Sequence, residues 1–140
     1  VERQWSGKQE NCANDRRQEQ YRLRILVVDD DEQVRKVLTD MLAIHGHHTT
    51  TCPDAYIALE VVKKERFDLL IIDLGMPGIS GLDLAGVIHA AFPQMPIALT
   101  TGCGKELNPD EISSKGVSAV LFKPFCLKDV KSLVEELVGR

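Results

Sequence analysis

The sequence predicts an α/β domain built on a doubly wound sheet of five parallel strands, and three observations carry that expectation. Five short apolar runs alternate strictly with segments of helical periodicity, which sets the strands parallel and places crossover helices on both faces. The strongest runs, RILVV at 24–28 and FDLLIID at 67–73, are dominated by branched aliphatics, as suits strands buried on both sides. With 140 residues, 44% of them hydrophobic, the chain is long enough for one real core. Right-handed crossovers leave few arrangements, of which 2-1-3-4-5 is common for five strands.

After the first strand, Val34, Val37, Leu38, Met41 and Leu42 mark one helical stripe, which Gly46 stops. HHTTT at 47–51 is a weaker, more polar strand suited to a sheet edge. Asp54 can cap a helix carrying Ala55, Ala58, Leu59 and Val62. The third run ends in GMPGISG, where Gly75, Pro77, Gly78 and Gly81 impose a loop before a helix through Leu82, Ala85 and Ile88. PIALTT at 96–101 is the fourth strand, and GCGKEL leads from it to NPDE. There Asn108 is the cap, Pro109 stands in the first turn and acids follow. AVLF at 119–122 is the fifth strand; Leu127, Val130, Leu133, Val134 and Leu137 form the closing amphipathic helix.

Composition sets bounds on function. Residues 1–22 are polar and almost free of branched aliphatics, and read as a leader, linker or tag remnant ahead of a domain at 23–140. A net charge of −4 argues against nonspecific contact with nucleic acid or an anionic membrane. No apolar run approaches the roughly 20 residues of a membrane span, and the N-terminus lacks the order of a secretory signal. Cys12, Cys52, Cys103 and Cys126 are scattered, which suggests reduced thiols in a cytoplasmic protein.

In a sheet of this kind, ligands bind beyond the carboxyl ends of the strands, near the switch point between strands 1 and 3. Strand 1 ends in Asp29 and Asp30, strand 3 in Asp73 and strand 4 in Thr101, and Lys123 follows strand 5. The predicted order brings these groups to one rim. Three carboxylates there would raise one another's pKa values unless a cation neutralised them. Oxygen-only ligands suit Mg²⁺, which keeps several waters and accepts phosphate oxygens, with Mn²⁺ as the alternative ion. Asp73, on a loop of little bulk, could attack a phosphoryl group to form an acyl phosphate. Lys123 and Thr101 could hold the transferred oxygens, and the Gly102 N–H can face an anion. Asp31 and Glu32 fit a cap and first turn better than a ligand role.

The acidic pair in VVDDDE, the aspartate in LLIIDLGMPGISG, the threonine in IALTTG and the lysine in FKPF together resemble the receiver domain of two-component response regulators, over about residues 23–138. The resemblance implies a flavodoxin-like (βα)₅ fold with Asp73 as phosphoacceptor, charged from a phosphohistidine on a sensor histidine kinase or histidine phosphotransfer domain, or from a small phosphodonor. It further implies a metal site of Asp29, Asp30, Asp73 and the Gly75 carbonyl, with phosphoryl contacts from the Gly75 and Gly102 backbone. Thr101 corresponds to the switch hydroxyl and Lys123 to its ion-pair partner, and Pro124 suggests a cis peptide. Activation would change the surface of the fourth helix, fifth strand and last helix. Such a domain is a single-turnover phosphoacceptor and not an enzyme. The TTGCG loop and polar leader resemble a receiver attached behind a hybrid histidine kinase; a separately encoded regulator is the other arrangement. No DNA-binding segment follows residue 138, so direct nucleic-acid binding is not expected.

Three positions depart from the pattern. Val120 stands where an aromatic switch residue is often found, and Gly75 and Cys103 offer no side chain suited to orienting an attacking water, so slow self-dephosphorylation is expected. Two rivals are a pseudo-receiver that only binds proteins and a phosphohydrolase of the haloacid-dehalogenase type. Asp29-x-Asp31 imitates the latter's nucleophile motif, but Gln33 stands where Thr or Val is needed. His45, His47 and His48 are not expected to share a metal, because neighbouring strand residues face opposite sides. His89 lacks the four-helix setting of a phosphotransfer histidine.

Overall fold

The computed structural model describes residues 22–102 and 107–138. Strands β1 (Arg24–Val28), β2 (His48–Cys52), β3 (Leu69–Asp73), β4 (Ile97–Thr101) and β5 (Ala119–Phe122) form one sheet in the order β2-β1-β3-β4-β5, and every pairing is parallel. Helices α1 (Glu32–Ile44), α2 (Ala55–Lys64), α3 (Gly81–Ala91), α4 (Pro109–Ser114) and α5 (Leu127–Val138) connect and close the sheet. The fold is thus the flavodoxin-like one expected. The leader up to Tyr21, together with Cys103 and Gly104, lies outside the described residues.

Strand alternation divides the core into two layers. Leu26, Val28, Leu70, Ile72, Ile97 and Leu99 face α2 and α3, meeting Ala58, Val62, Leu84 and Ile88. Ile25, Val27, Leu69, Ile71, Ala98 and Leu121 face α1 and α5, meeting Leu38, Leu42, Val130 and Leu133. The three inner strands are buried on both faces, which is why they read as unbroken apolar runs.

The local signals fall close to their expected places. Asp31 and Asp54 cap α1 and α2, their carboxylates accepting from the Gln33 and Ile57 amides at 2.9 Å each. Asn108 caps α4, and Pro109 opens it. Gly46, at φ 83°, ends the turn after α1 in a conformation that side chains disfavour. Boundaries move slightly. Strand β2 is one residue later than HHTTT suggested, and β3 starts at Leu69 rather than Phe67. Asp68 marks that boundary: its carboxylate accepts from the Arg24 amide at 2.8 Å, at the amino end of β1. On α1 the buried centre is Leu38 and Leu42, whereas Val37 is 44% exposed. On α3 the wholly buried leucine is Leu84, and Leu82 is half-buried.

Gly81 ties this scaffold to the end of β3. A Cβ there would collide with the Asp73 carbonyl oxygen and the Leu74 backbone, so α3 can begin this close to Asp73 only without a side chain. Gly81→Ala sets a helix-propensity gain of at most about 1 kcal/mol against overpacking of about 1–3 kcal/mol on fixed backbone. Overpacking wins, and the urea midpoint of the variant falls.

His47 anchors the entry to the sheet, its Nδ1 accepting from the Leu23 amide at 3.2 Å. Burial, with a smaller contribution from His45, holds its pKa below the ordinary histidine value. The unfolded chain therefore takes up the proton first, and stability declines as pH falls below about 6.5. Urea midpoints at pH 7.5 and 5.5 should differ less in His47→Gln than in the parent protein.

Candidate phosphoacceptor and metal site

At the carboxyl end of the sheet, adjacent strands deliver acids to one place. Asp29 and Asp30 follow β1, and Asp73 ends β3, where β1 and β3 are direct neighbours. One oxygen from each of these three carboxylates lies within 4.8 Å of the others, and among the described residues this is the group of acids, histidines or cysteines placed to hold a metal ion. Asp29 is 1% exposed and Asp73 7%, while Asp30 faces solvent.

Lys123, just past β5, reaches back over the sheet to meet both buried acids. Its Nζ lies 3.1 Å from Asp73 Oδ1 and 3.4 Å from Asp29 Oδ2. Its own amide donates to the Thr101 carbonyl at 2.8 Å, so β4 fixes where the lysine begins. The Lys123–Pro124 peptide is cis. Two further contacts hold Asp29: its Oδ1 accepts from the Asp31 amide at 2.8 Å, and its carbonyl accepts from Arg35 Nη1 at 2.7 Å. The part played by Arg35 was not legible in the helical stripe of α1, because the contact is to a backbone atom.

Electrostatics follow from this packing. Burial pushes the Asp29 carboxyl above its ordinary range, the Asp31 amide pulls it back, and the Asp73 charge adds to the rise. Partial burial alone would lower the Lys123 pKa, but its hydrogen bond to Asp73 and the charges of both acids outweigh this and raise it. One ammonium against three carboxylates leaves the pocket negative. Like charges at such separations repel by roughly 3 kcal/mol per pair at an effective dielectric constant of about 20. Hard oxygen donors, two of them buried and one open to water, fit a divalent cation that retains part of its hydration shell.

The remaining predicted residues border this centre. Thr101 is 5% exposed and ends β4; alternation sets its side chain on the Leu99 face of the sheet, opposite to that of Asp73. Gly75 and Gly102 are exposed, and a Cβ at either would meet nothing within 4 Å. Val120 is half-buried and packs on the α2/α3 layer. The histidines stand apart: His47 serves the β1 entry, and His48 is exposed on β2. Cys52 is buried and Cys126 exposed, both as free thiols. A cleft of about 600 Å³ between 62–68 and 91–96 lies at the opposite, amino end of the strands, away from the carboxylates.

A family model for the response regulator receiver domain matches residues 25–135. This chain belongs to that family. Among curated relatives, the response regulator receiver protein CpdR of Brucella abortus is 34% identical over 116 residues, covering 82% of this chain and 96% of that protein. The response regulator protein FleR of Pseudomonas aeruginosa is 35% identical over 111 residues, covering 79% of this chain but 24% of that one. The two-component response regulator PhoP of the same species is 33% identical, and the chain spans 52% of its length. Among solved structures, a response regulator receiver domain protein from Methanospirillum hungatei superposes with a TM-score of 0.79 at 25% identity, over 84% of this chain and 94% of that one. Receiver domains are signalling domains of two-component systems that work with histidine kinases or phosphotransfer proteins. No helix among the described residues is long and apolar enough to cross a membrane.

Lys123 and a bound cation share the same acids, and this competition can be measured. Lys123→Met should bind Mg²⁺ about tenfold more tightly by calorimetry, roughly 1.4 kcal/mol, and Asp29→Asn should weaken binding by at least that factor. Unchanged affinity in both variants would place the ion elsewhere.

Proposed function

We propose that this receiver is a phosphoacceptor switch in which Asp73 takes a phosphoryl group from the phosphohistidine of a sensor histidine kinase or histidine phosphotransfer domain. The observation that carries the reading is the buried Asp73 carboxylate, sharing one lysine with Asp29 and lying within 4.8 Å of both Asp29 and Asp30. The ligand set is Asp29, Asp30, Asp73 and the Gly75 carbonyl. A divalent ion held there, Mg²⁺ or Mn²⁺, would supply positive charge to offset the carboxylates and the phosphoryl oxygens.

Asp73 then attacks phosphorus in line. The bond between phosphorus and the donor nitrogen breaks, its electron pair returns to the donor imidazole, and an acyl phosphate remains on Asp73. The Lys123 ammonium, already on Asp73, has to shift only slightly to meet a phosphoryl oxygen. The amides of Gly75 and Gly102 lie on exposed backbone where they can face the anion. Thr101 starts on the other face, so its hydroxyl arrives only when the β4–α4 segment moves inward. The added charge therefore biases two arrangements of that segment and alters the surface of α4, β5 and α5, where Phe122 is 54% exposed.

Gly75 and Val120 shape the kinetics and the signal. With no side chain at Gly75 to steer water, the acyl phosphate decays slowly, and with valine at 120 the switch runs without an aromatic rotamer. The site is that of a single-turnover acceptor that passes its signal on through a change of surface.

Incubation with Mg²⁺ and acetyl phosphate should add one phosphoryl group to the intact mass, and Asp73→Asn should abolish the adduct. No adduct on the parent protein would favour a pseudo-receiver; repeated turnover of a phosphate ester would favour a hydrolase. Thr101→Ala should keep the adduct while losing most of the accompanying NMR shifts on α4 and β5. Gly75→Asn, for which the backbone leaves open space, should shorten the adduct's lifetime several-fold at unchanged stability.

A further inference from the structure

Thr100 is the unexplained residue of this site. It is 1% exposed, and its hydroxyl finds no hydrogen-bond partner among the described residues. A buried hydroxyl left in that state costs about 1–3 kcal/mol, which a valine of the same shape would avoid. The ladder shows where the hydroxyl sits. Asp73 pairs directly with Thr100, and Thr100 with Leu121. Directly paired residues on parallel strands share a face, with strands about 4.8 Å apart. Ile71, Ala98 and Leu121 confirm that face as the α1/α5 side. Lys123, two residues past Leu121, lies on it too, and must cross above β4 to reach Asp73 at 3.1 Å. Thr100 therefore stands beside Asp73 on the adjacent strand and on the same face, the face from which Lys123 reaches Asp73.

We propose that Thr100 is a positioning residue for Asp73, its hydroxyl donating to the acyl oxygen once the phosphoryl group is in place. This rests on Asp73 being the phosphoacceptor. At rest, Lys123 supplies a donor to Asp73 Oδ1. In the acyl phosphate the strongest negative charge moves to the phosphoryl oxygens and the ammonium follows it, so the acyl oxygen loses that donor. Rotation of Thr100 replaces it. On hydrolysis, water attacks phosphorus, the phosphorus–oxygen bond to Asp73 breaks and its electron pair returns to the carboxylate, while the water's proton leaves with inorganic phosphate. Negative charge builds on the acyl oxygen as that bond opens, so a donor aimed at it is worth more in the transition state than before. Thr100 thus speeds the return to the resting state, in a site that lacks a side chain at Gly75 to do so.

The test compares Thr100→Val, Thr100→Ala and Thr100→Ser with the parent protein, each loaded with acetyl phosphate and Mg²⁺ and followed by intact mass after the donor is removed. Valine and alanine should lengthen the phosphoryl half-life by about tenfold, and serine should restore it to within about twofold. Without phosphodonor, Thr100→Val should unfold at an equal or higher urea concentration than the parent, because it removes an unsatisfied hydroxyl. Half-lives equal in all four proteins, or lengthened as much by serine as by valine, would overturn the inference while leaving Asp73 as phosphoacceptor. A lower urea midpoint for valine would also overturn it, by showing that the hydroxyl is already engaged at rest. A parent protein that takes no phosphoryl group would remove the phosphoacceptor reading, and this one with it.

Discussion

The geometry of the site rests on a buried charge imbalance: Asp29 and Asp73, both withdrawn from water, are held against each other by one ammonium from the far side of the sheet. Burial raises the Asp29 pKa, while the hydrogen bond to Asp73 and the charges of both acids raise that of Lys123. The imbalance is larger still at the rim, because Asp30 adds a third negative group to a pocket with a single positive one. A pocket built this way is poised for a small cation and for an anion that the cation can carry. Its receptivity comes from what the protein leaves uncompensated.

The sheet makes that imbalance possible. Parallel strands present all their carboxyl ends at one edge, and the crossover order puts β1 beside β3, with β4 and β5 beyond. Residues far apart in the chain, Asp29 and Lys123 among them, meet because the ladder holds their strands in register. The apolar layers on either side supply the stability that lets polar groups be buried at the rim. Gly81 shows how closely the two are joined: α3, whose Leu84 and Ile88 fill the core, begins almost on top of the Asp73 carbonyl.

Relatives of the same family differ greatly in length. The chain corresponds to nearly all of CpdR but to a quarter of FleR. Here the exposed Phe122 ends the strand that leads into Lys123, so an open apolar side chain and the lysine gripping Asp73 are neighbours on one short segment.

Much was legible in the chain itself. Continuous apolar runs, helix caps at Asp31, Asp54 and Asn108, and glycines after strands identify elements whose causes are local, and their order implied the topology. The acids at strand ends were legible too, because in a parallel sheet a position along the strand is also a position in space. Which residues share a face across strands was not. Register depends on how five separate segments slide against one another, and no local pattern states it. The tertiary structure alone therefore decided that Thr100 lies beside Asp73, that Thr101 faces away and that Arg35 grips the Asp29 carbonyl. It likewise decided that Val37 is left outside a core its periodicity seemed to join, because a helix stripe gives the direction of burial and the neighbouring helix sets its width.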